Sequence, residues 1–309
     1  MIILGRKHKF KEFELNQLKK ISPTIIQIRY RGKNESEVLE ELSEAVKNHP
    51  SSILVLNTKA KVGDEIIKYL TNLHVKEYKY ALDIISIETL MERYLKKCYI
   101  PDSHEELGFL EEIRPYSLYS YFFKRTIDYI GSIIIGVIAS PVMIYAYYRI
   151  KKESPGPVLF AQRRVGLQGK EFVCYKFRSM HTNSHHDPYT RENDSRIFPF
   201  GKIMRRTRID EIPQILNIFK GDMHLVGPRA EWNILVQNYE KEIPYYNTRH
   251  LVRPGITGWA QVNYPYGQNI EDTKQKLMYD LYYIKNWSLW LEAKTIAKTI
   301  LVVLGKKGL

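Results

Sequence analysis

The sequence predicts a small, Rossmann-like α/β domain with a parallel sheet, followed by a mostly helical α+β domain associated with a membrane. Short β-branched runs alternate with amphipathic helical patterns over residues 1–100, and such alternation is typical of a parallel sheet flanked by helices. Residues 129–148 are apolar and stand between basic flanks, and a helix of about 20 residues covers the hydrocarbon core of a bilayer. We therefore divide the chain into residues 1–115, 116–152 and 153–309.

The first domain contains predicted strands and helices in alternation. Residues 24–30 and 52–58 are rich in β-branched side chains, which indicates strands. Residues 35–49 carry apolar side chains at helical spacing, and residues 63–74 and 86–97 repeat this pattern. No Gly-x-Gly-x-x-Gly motif follows a first strand, which argues against a dinucleotide site. We interpret the domain as an accessory or regulatory module.

The apolar run has Ser140 and Pro141 near its middle. Proline lacks a backbone donor and clashes with the preceding helical turn, so a break or kink is expected there. A spanning helix usually has its excess of lysine and arginine on the cytoplasmic flank, whereas here both flanks are basic. A re-entrant helix that breaks at these two residues and leaves the membrane on the side of entry accounts for both observations. A kinked span and a buried helix of a soluble protein are the alternatives.

Charge and cysteine content narrow the range of partners. The formal net charge of +13 indicates acidic partners. Beside an apolar anchor, membrane lipids with anionic headgroups and phosphorylated substrates fit that charge better than nucleic acid, which we do not expect. Cys98 and Cys174 imply no disulfide framework, so the soluble parts are expected to face a reducing cytosol. The aromatic residues within 116–123 suit either the headgroup level of a bilayer or a seam between the domains.

Basic residues are interleaved in two strands predicted after the apolar run. Residues 158–166 and 170–180 predict the strands, which the short segment 167–169 joins. A solvated strand face explains such residues without any ligand, whereas a face shared by both strands would gather them around phosphate. The interleaved polar residues are Gln162, Arg163, Arg164, Lys176 and Arg178.

A second basic stretch precedes an Asp-Glu pair. Its positive residues are Arg196, Lys202, Arg205, Arg206 and Arg208. Asp210 and Glu211 open a predicted amphipathic helix, with Thr207 as its N-cap in a capping-box arrangement. The carboxylate of Asp210 either stabilises the positive end of the helix dipole or acts as a nucleophile or metal ligand beside an arginine cluster that binds phosphate.

An ordered series of motifs between Lys124 and Gly305 resembles the bacterial sugar transferases, the monotopic polyprenyl-phosphate phosphoglycosyltransferases that initiate polysaccharide and glycoconjugate assembly. Each motif alone is weak, but their order along the chain makes the resemblance specific. The motifs are KRTIDYI, the apolar run with Ser140-Pro141, SPGPVLFAQRRVG, YKFRSM, END-R, R-x-DE-x-PQ-x-x-N, LVGPR, RPGITGWAQVN and YDLYYIKNWSLWLE.

The resemblance implies a transfer in two steps. The aspartate of the Asp-Glu pair, here Asp210, attacks the sugar-bearing phosphate of a UDP-sugar, which gives a covalent phosphosugar-aspartyl enzyme and UMP. Polyprenyl (undecaprenyl) phosphate then takes the phosphosugar, giving a polyprenyl diphosphate-linked sugar for exopolysaccharide, capsule, O-antigen or glycoprotein assembly. The resemblance also implies Mg²⁺ as cofactor. It further implies a monotopic enzyme in the bacterial inner (cytoplasmic) membrane, with its soluble domains facing the cytoplasm.

The motifs carry the implied site onto particular residues. Asp210 and Glu211 are the catalytic pair. Asp210 and Asp280 are assigned to the metal, although Asp280 alternatively positions a basic ligand, and the helix break falls on Ser140 and Pro141. The residues assigned to substrate or phosphate binding are Lys176, Arg178, Arg206, Arg229 and Asp280.

Some positions depart from the family pattern, and others invite a different assignment. Arg208 stands where a small hydroxylated residue is usual, Ala230 where a proline is common, and residues 264–269 differ from the usual loop. These departures put the sugar specificity in doubt more than the reaction. A polar stretch with several histidines suggests a solvated loop rather than a metal site. Its residues are His181, His185, His186 and Asp187.

Rival functions of other classes stay open at this point. A binding protein would use the basic cluster to hold anionic lipid or nucleic acid, with Asp210 as a helix cap, and its affinity would fall steeply with salt. A catalytically idle, membrane-bound scaffold is the second rival, and the intact Asp-Glu pair weighs against it. A homodimer through either domain is compatible with the sequence. The C-terminal segment, residues 287–308, predicts an amphipathic helix that lies in the membrane interface or packs on the catalytic core.

Overall fold

The protein forms two compact units, Met1–Tyr99 and Ile100–Leu309. The structure is a computed structural model. It describes residues 1–30, 32–58, 62–76, 82–102, 108–182, 194–264, 267 and 269–305.

The first unit is built on a four-stranded parallel sheet in the order β2-β1-β3-β4. Its strands are β1 (Ile2–Leu4), β2 (Ile26–Ile28), β3 (Ile53–Leu56) and β4 (Asp83–Ser86). Its helices are α1 (Glu12–Lys19), α2 (Glu35–Asn48), α3 (Asp64–Lys76) and α4 (Ile87–Leu90), the last of which continues into a π-helical turn (Met91–Leu95). The predicted small parallel sheet is therefore confirmed, and the predicted strands contain β2 and β3.

The core of the first unit lies between the sheet and α2. Val38 and Leu42 of α2 are fully buried and belong to one cluster with Ile2 of β1 and Leu54 of β3. Each such side chain contributes about 1.5–3 kcal/mol when it is removed from water. The side chain of Asn34 accepts a hydrogen bond from Glu37 N and so caps the start of α2.

A buried carboxylate occupies the start of α1, beside the carboxyl end of β1. In α/β folds that bind dinucleotides, the diphosphate lies at the start of the first helix. Here Glu14 accepts a hydrogen bond from Lys11 N at 2.6 Å, forms an ion pair with Lys97 and lies 3.1 Å from His8 Nε2. Burial raises the pKa of Glu14, but the hydrogen bond from His8 and the charge of Lys97 outweigh it and lower that pKa to about 2.

The second unit is mostly helical. Its helices are α5 (Gly108–Glu112), α6 (Leu118–Glu153), α7 (Pro199–Thr207), α8 (Ile215–Lys220), α9 (Asn233–Glu242), α10 (Trp259–Asn263), α11 (Ile270–Lys285) and α12 (Leu289–Leu304). Its strands are β5 (Leu159–Val165), β6 (Glu171–Phe177), β7 (His224–Val226) and β8 (Gly255–Thr257). Strands β5 and β6 form an antiparallel hairpin, as predicted, and β7 pairs in parallel with β8. Short 3₁₀ segments span Leu167–Gly169, Ile209–Gln214 and Tyr246–Leu251.

The acidic segment before α6 belongs to the second unit, although the sequence placed residues up to 115 in the first domain. Asp102 and Glu112 each form an ion pair with a lysine of α11, at 2.9 Å to Lys274 and to Lys285 respectively. The ring of Phe109 packs 4.7 Å from that of Tyr245. These contacts explain the shift of the boundary to Tyr99.

Helix α6 is continuous over 36 residues and includes Ser140 and Pro141. It is long and apolar enough to cross a membrane, by length and composition alone. The predicted break does not appear as an interruption of the helix. Pro141 has no N–H to donate to the carbonyl of Val137, and the hydroxyl of Ser140 donates to that carbonyl instead, at 2.8 Å.

Helix α6 is buried near both ends and exposed between them. Asp128 and Ser132 are buried toward its start, and Ala146 and Ile150 toward its end, whereas no residue of 133–145 is buried. Asp128 accepts a hydrogen bond from Leu225 N, next to β7 residue His224, at 2.8 Å. At the other end, Ala146 and Ile150 pack in one cluster with aromatic and aliphatic residues of β6 and α7. Both ends of the apolar run therefore contact the same unit.

Candidate active site

One face of the β5–β6 hairpin lines a cavity that opens to solvent. The register pairs Gln162 with Cys174 and Phe160 with Lys176. Because side chains alternate across a strand, Gln162, Arg164, Cys174 and Lys176 share one face, and all four line the cavity. The side chain of Arg163 is 76% exposed and pairs with Glu171 at 3.5 Å, on the other face. The sequence left open whether these basic residues are solvated or gathered around a ligand. The hairpin exposes Arg163 to solvent and brings Arg164 and Lys176 together at the cavity.

Lys176 is the cation that projects from β6 into the site. Its Nζ lies 5.1 Å from the centroid of the Phe160 ring. Burial and the neighbouring charge of Arg164 lower the pKa of Lys176 to about 8, although Asp210 acts in the opposite direction. Arg164 is itself held in place by the Gln162 side chain and by the carbonyl of Ala230, to which its Nη1 donates at 2.6 Å.

The Asp-Glu pair lies in a 3₁₀ turn that follows α7. Arg208 has a left-handed backbone (φ 61°) that ends α7 and starts the turn Ile209–Gln214. Thr207 does not cap this turn, so the predicted capping box is wrong. The hydroxyl of Thr207 instead donates to Ile203 O at 2.7 Å, because Thr207 belongs to the last turn of α7.

The two carboxylates of this pair have different surroundings. Asp210 and Glu211 are both buried, at 6% and 9% exposure. Glu211 accepts a hydrogen bond from Arg229 Nη2 at 2.8 Å, and the charges of Arg229 and Arg208 lower the pKa of Glu211 despite its burial. Within the part of the chain that the structure describes, Asp210 Oδ1 has no hydrogen-bond partner. Burial and the negative charge of Glu211 raise the pKa of Asp210, and the charges of Lys176 and Arg205 oppose them.

Arg229 follows β7 and is supported by a second arginine. Arg249 donates to the carbonyl of Arg229 at 2.8 Å and to Asp280 Oδ2 at 2.9 Å, and its Nη1 donates to Tyr246 Oη at 2.6 Å. Asp280 is 2% exposed, and burial raises its pKa to about 6, although Arg249 opposes the rise. Asp280 therefore fixes Arg249, which in turn donates to the carbonyl of Arg229. Positioning a basic residue was one of the two roles that the resemblance implied for Asp280.

Of the two residues predicted to bind magnesium, Asp210 fits such a role better than Asp280. Mg²⁺ in phosphate-handling sites is usually bound by one or two carboxylates together with substrate phosphates and water. Asp210, whose buried Oδ1 has no hydrogen-bond partner among the described residues, supplies one such ligand, whereas Glu211 is engaged by Arg229. Asp280 is engaged by Arg249, and its other charged neighbours are Glu231 and Lys276. No cluster of three or more potential metal ligands occurs among the described residues.

Comparison with known proteins identifies the family of this fold and site. A sequence model for the bacterial sugar transferase family matches residues 119–306. The chain belongs to this family. The predicted resemblance is thereby confirmed, and the matched segment contains α6, the hairpin, the Asp-Glu pair and Arg229.

Several relatives in the bacterial sugar transferase family have names that state an activity. A UDP-N-acetylgalactosamine-undecaprenyl-phosphate N-acetylgalactosaminephosphotransferase of Aeromonas hydrophila is 42% identical over 226 residues, which are 72% of this chain and 52% of the relative. A UDP-glucose:undecaprenyl-phosphate glucose-1-phosphate transferase of Xanthomonas campestris pv. campestris is 38% identical over 271 residues, 79% of this chain and 56% of the relative. An undecaprenyl-phosphate galactose phosphotransferase of Salmonella typhimurium is 40% identical over 206 residues, 61% and 42% of the two chains. This chain thus spans about half the length of these curated relatives.

Two residues assigned to phosphate from the sequence lie elsewhere in this member of the bacterial sugar transferase family. Arg178 is 5% exposed and donates to the carbonyls of Pro157 and Ser154, at 2.6 and 2.5 Å, and to Ser154 Oγ at 2.5 Å. Arg206 is exposed on α7. Neither lines the cavity. His185, His186 and Asp187 lie outside the described residues.

Other residues of the site were not among those that the resemblance assigned, although the basic patterns of the sequence contained some of them. Arg164 and Gln162 line the cavity, and Arg205 rather than Arg206 acts electrostatically on Asp210. The alternation of the hairpin, counted from Lys176, was the signal that identifies Arg164. Arg249 gave no such signal, because its contact with Arg229 joins residues 20 positions apart through a 3₁₀ turn.

Proposed function

We propose that this protein transfers a sugar-1-phosphate from a UDP-sugar to undecaprenyl phosphate, with release of UMP. The observation that carries the proposal is the contrast within the Asp-Glu pair. Glu211 is paired with Arg229, whereas the buried Asp210 Oδ1 has no hydrogen-bond partner among the described residues and lies in the field of several cations. An unpaired carboxylate held among phosphate-binding cations is suited to attack on phosphorus. The names of the relatives from Aeromonas and Xanthomonas support the substrate classes.

The first step forms a covalent intermediate. A carboxylate oxygen of Asp210 bonds to the sugar-bearing phosphorus of the UDP-sugar, and the bond from that phosphorus to the bridging oxygen breaks. UMP leaves with the electron pair. In the second step, an oxygen of undecaprenyl phosphate attacks the same phosphorus, and the carboxylate of Asp210 is released unchanged. Since the nucleophile must be ionised, the raised pKa of Asp210 predicts that the first step accelerates as the pH rises through that pKa.

Three cations are placed to bind the phosphates. Lys176, Arg164 and Arg229 line one cavity, and Arg229 is oriented by Glu211 on its side chain and by Arg249 on its carbonyl. Arginine binds phosphate oxygens in a bidentate manner, which fixes their orientation. A bound Mg²⁺, held by Asp210, would neutralise charge on the diphosphate.

We also propose that α6 bends at Pro141 in the membrane and is re-entrant, so that the enzyme is monotopic and works at the cytoplasmic face of the bacterial inner membrane. A helix that spans a bilayer separates its ends by about 30 Å of hydrocarbon. Here Asp128 contacts the segment at β7, and Ile150 packs with residues of β6 and α7, all in the second unit. Both contacts support an apolar middle, residues 133–145, that enters the membrane from one side only. The lipid-linked acceptor would then meet Asp210 from that side.

The test is release of UMP from a panel of UDP-sugars by the full-length protein in nanodiscs, with undecaprenyl phosphate and Mg²⁺. We expect one sugar to be preferred, and Asp210→Asn to lower the rate by at least about 1,000-fold, as loss of a covalent nucleophile does. Asp64→Asn, an exposed aspartate of the first unit, is the matched control. Equal rates for wild type and Asp210→Asn would refute the mechanism. Absence of UMP release from folded wild-type protein with every sugar would favour the scaffold or binding alternatives.

A further inference from the structure

A buried polar network lies at the base of α6, on the side away from its exposed apolar residues. Asp128 is fully buried and accepts from His224 Nδ1 at 2.5 Å and from Leu225 N at 2.8 Å. Lys124, also fully buried, lies 3.4 Å from Asp128 and forms a second ion pair with Glu292 of α12. Buried charges of this kind are tolerated only when each is paired, and the network pairs all of them.

His224 connects this network to the segment that precedes α6. Its Nε2 lies 2.7 Å from Tyr116 Oη. Because an ionised Asp128 can only accept, His224 carries its proton on Nδ1, and its unprotonated Nε2 accepts from the hydroxyl of Tyr116. Burial lowers the pKa of His224 to about 4, although the hydrogen bond to Asp128 opposes this shift. The imidazole is therefore neutral at physiological pH and has one donor and one acceptor in a fixed order.

The strand that carries His224 leads directly into the candidate active site. His224 is the first residue of β7, and Arg229 follows it by five positions. Asp128 holds both the side chain of His224 and the N–H of Leu225, so two adjacent residues of β7 are fixed to one carboxylate of α6. Loss of these contacts would therefore let α6 shift relative to β7 and to the arginine that pairs with Glu211.

We propose that the hydrogen-bond chain Tyr116–His224–Asp128 is a positioning device that fixes the membrane helix against the strand leading to Arg229. This inference rests on the proposed function. The soluble UDP-sugar meets the cavity independently of α6, whereas the lipid phosphate arrives at a height set by that helix. Loosening the chain therefore impairs the step that uses the lipid acceptor more than the step that uses the nucleotide sugar.

The experiment compares the two half-reactions of the full-length protein in nanodiscs of phosphatidylethanolamine and phosphatidylglycerol. Exchange of labelled UMP into the UDP-sugar needs no lipid acceptor, and transfer to undecaprenyl phosphate does. For His224→Leu we expect kcat/KM for undecaprenyl phosphate to fall about tenfold, mainly through KM, while exchange stays within about threefold, since about one hydrogen bond to a charged group is lost at a distance from the chemistry. His224→Asn retains a donor near the position of Nδ1 and is expected to restore most of the transfer. Tyr119→Phe, which removes an exposed hydroxyl at the start of α6, is the control.

Parallel loss of both half-reactions, or no loss in either, would overturn the proposal, as would failure of His224→Asn to improve on His224→Leu. Hydrogen–deuterium exchange over residues 223–229 supplies a readout that needs no activity. His224→Leu should accelerate exchange there, and Tyr119→Phe should not. If the wild type performs neither half-reaction, the proposed function fails by itself, and unchanged hydrogen exchange in His224→Leu would still refute the positioning role.

Discussion

Replacement of Arg178 tests whether this residue is part of the scaffold or of the phosphate site. Its guanidinium donates to the carbonyls of Ser154 and Pro157 and to the hydroxyl of Ser154, and both Arg178 and Ser154 are almost fully buried. Arg178→Gln removes three short hydrogen bonds of a charged donor, each of which contributes about 1.5–3 kcal/mol. Since glutamine and water replace part of these bonds, we expect a net destabilisation of about 3–4 kcal/mol.

Thermal unfolding in nanodiscs measures this loss. For a unit of this size, each kcal/mol shifts Tm by about 2–4 °C, so Arg178→Gln should lower Tm by about 6–16 °C. Arg206→Gln is the matched control because it removes the same charge from an exposed site on α7, and its Tm should stay within about 1 °C of wild type. The structural role is refuted if Arg178→Gln has the same Tm as the wild type while its KM for the UDP-sugar rises.

Three further predictions follow from single contacts. Lys176 loses its charge as the pH rises through about 8, so the rate should fall on the alkaline side, and Arg164→Gln should move that fall to higher pH by removing a neighbouring positive charge; an unmoved alkaline limb in a pH–rate profile contradicts this. Asn217, fully buried, bonds to Tyr175 N and Val173 O and so fixes β6; Asn217→Ala should cost about 2–3 kcal/mol in denaturant unfolding, and a cost under about 0.5 kcal/mol would show that water replaces the amide. Ser140→Ala should destabilise α6 by about 1 kcal/mol in wild type and less in a Pro141→Ala background, where the backbone donor returns; equal effects in such a double-mutant cycle would exclude the compensation.

The parts of the fold that depend on local pattern were predictable. The alternation of β-branched runs and amphipathic helices gave the parallel sheet of the first unit, and the period of two along β5 and β6 gave the hairpin. The Asp-Glu pair was selected through the family motif R-x-DE-x-PQ-x-x-N, because its local pattern alone also fits an acidic cap of a helix. The sequence did not determine which residues of α7 face the Asp-Glu pair, because the adjacent arginines leave the helical phase ambiguous. Arg206 was therefore assigned to phosphate binding in place of Arg205.

The remaining features of the site depend on contacts between residues that are far apart in the sequence, and these could not be predicted from it. Arg178 shares its strand neighbourhood with Lys176, yet its side chain turns to carbonyls of residues 154–157. The link from Asp280 through Arg249 to Arg229 requires three segments to meet in space. Likewise, the pairing of Asp128 with His224 joins residues 96 positions apart. None of these pairs has a spacing that periodicity can reveal.

The carboxylate of Glu14 is an anion at the start of α1 that, unlike a bound ligand, cannot dissociate from the first unit. A fold that binds a free nucleotide at the start of its first helix gains stability as the nucleotide concentration rises. Here the anion is covalently part of the chain, so the stability of this unit should not respond to added nucleotide and should respond to acid instead. Because the pKa of Glu14 is lowered to about 2 from 4.5, its contribution is complete above about pH 4.5 and is lost as the pH falls toward 2.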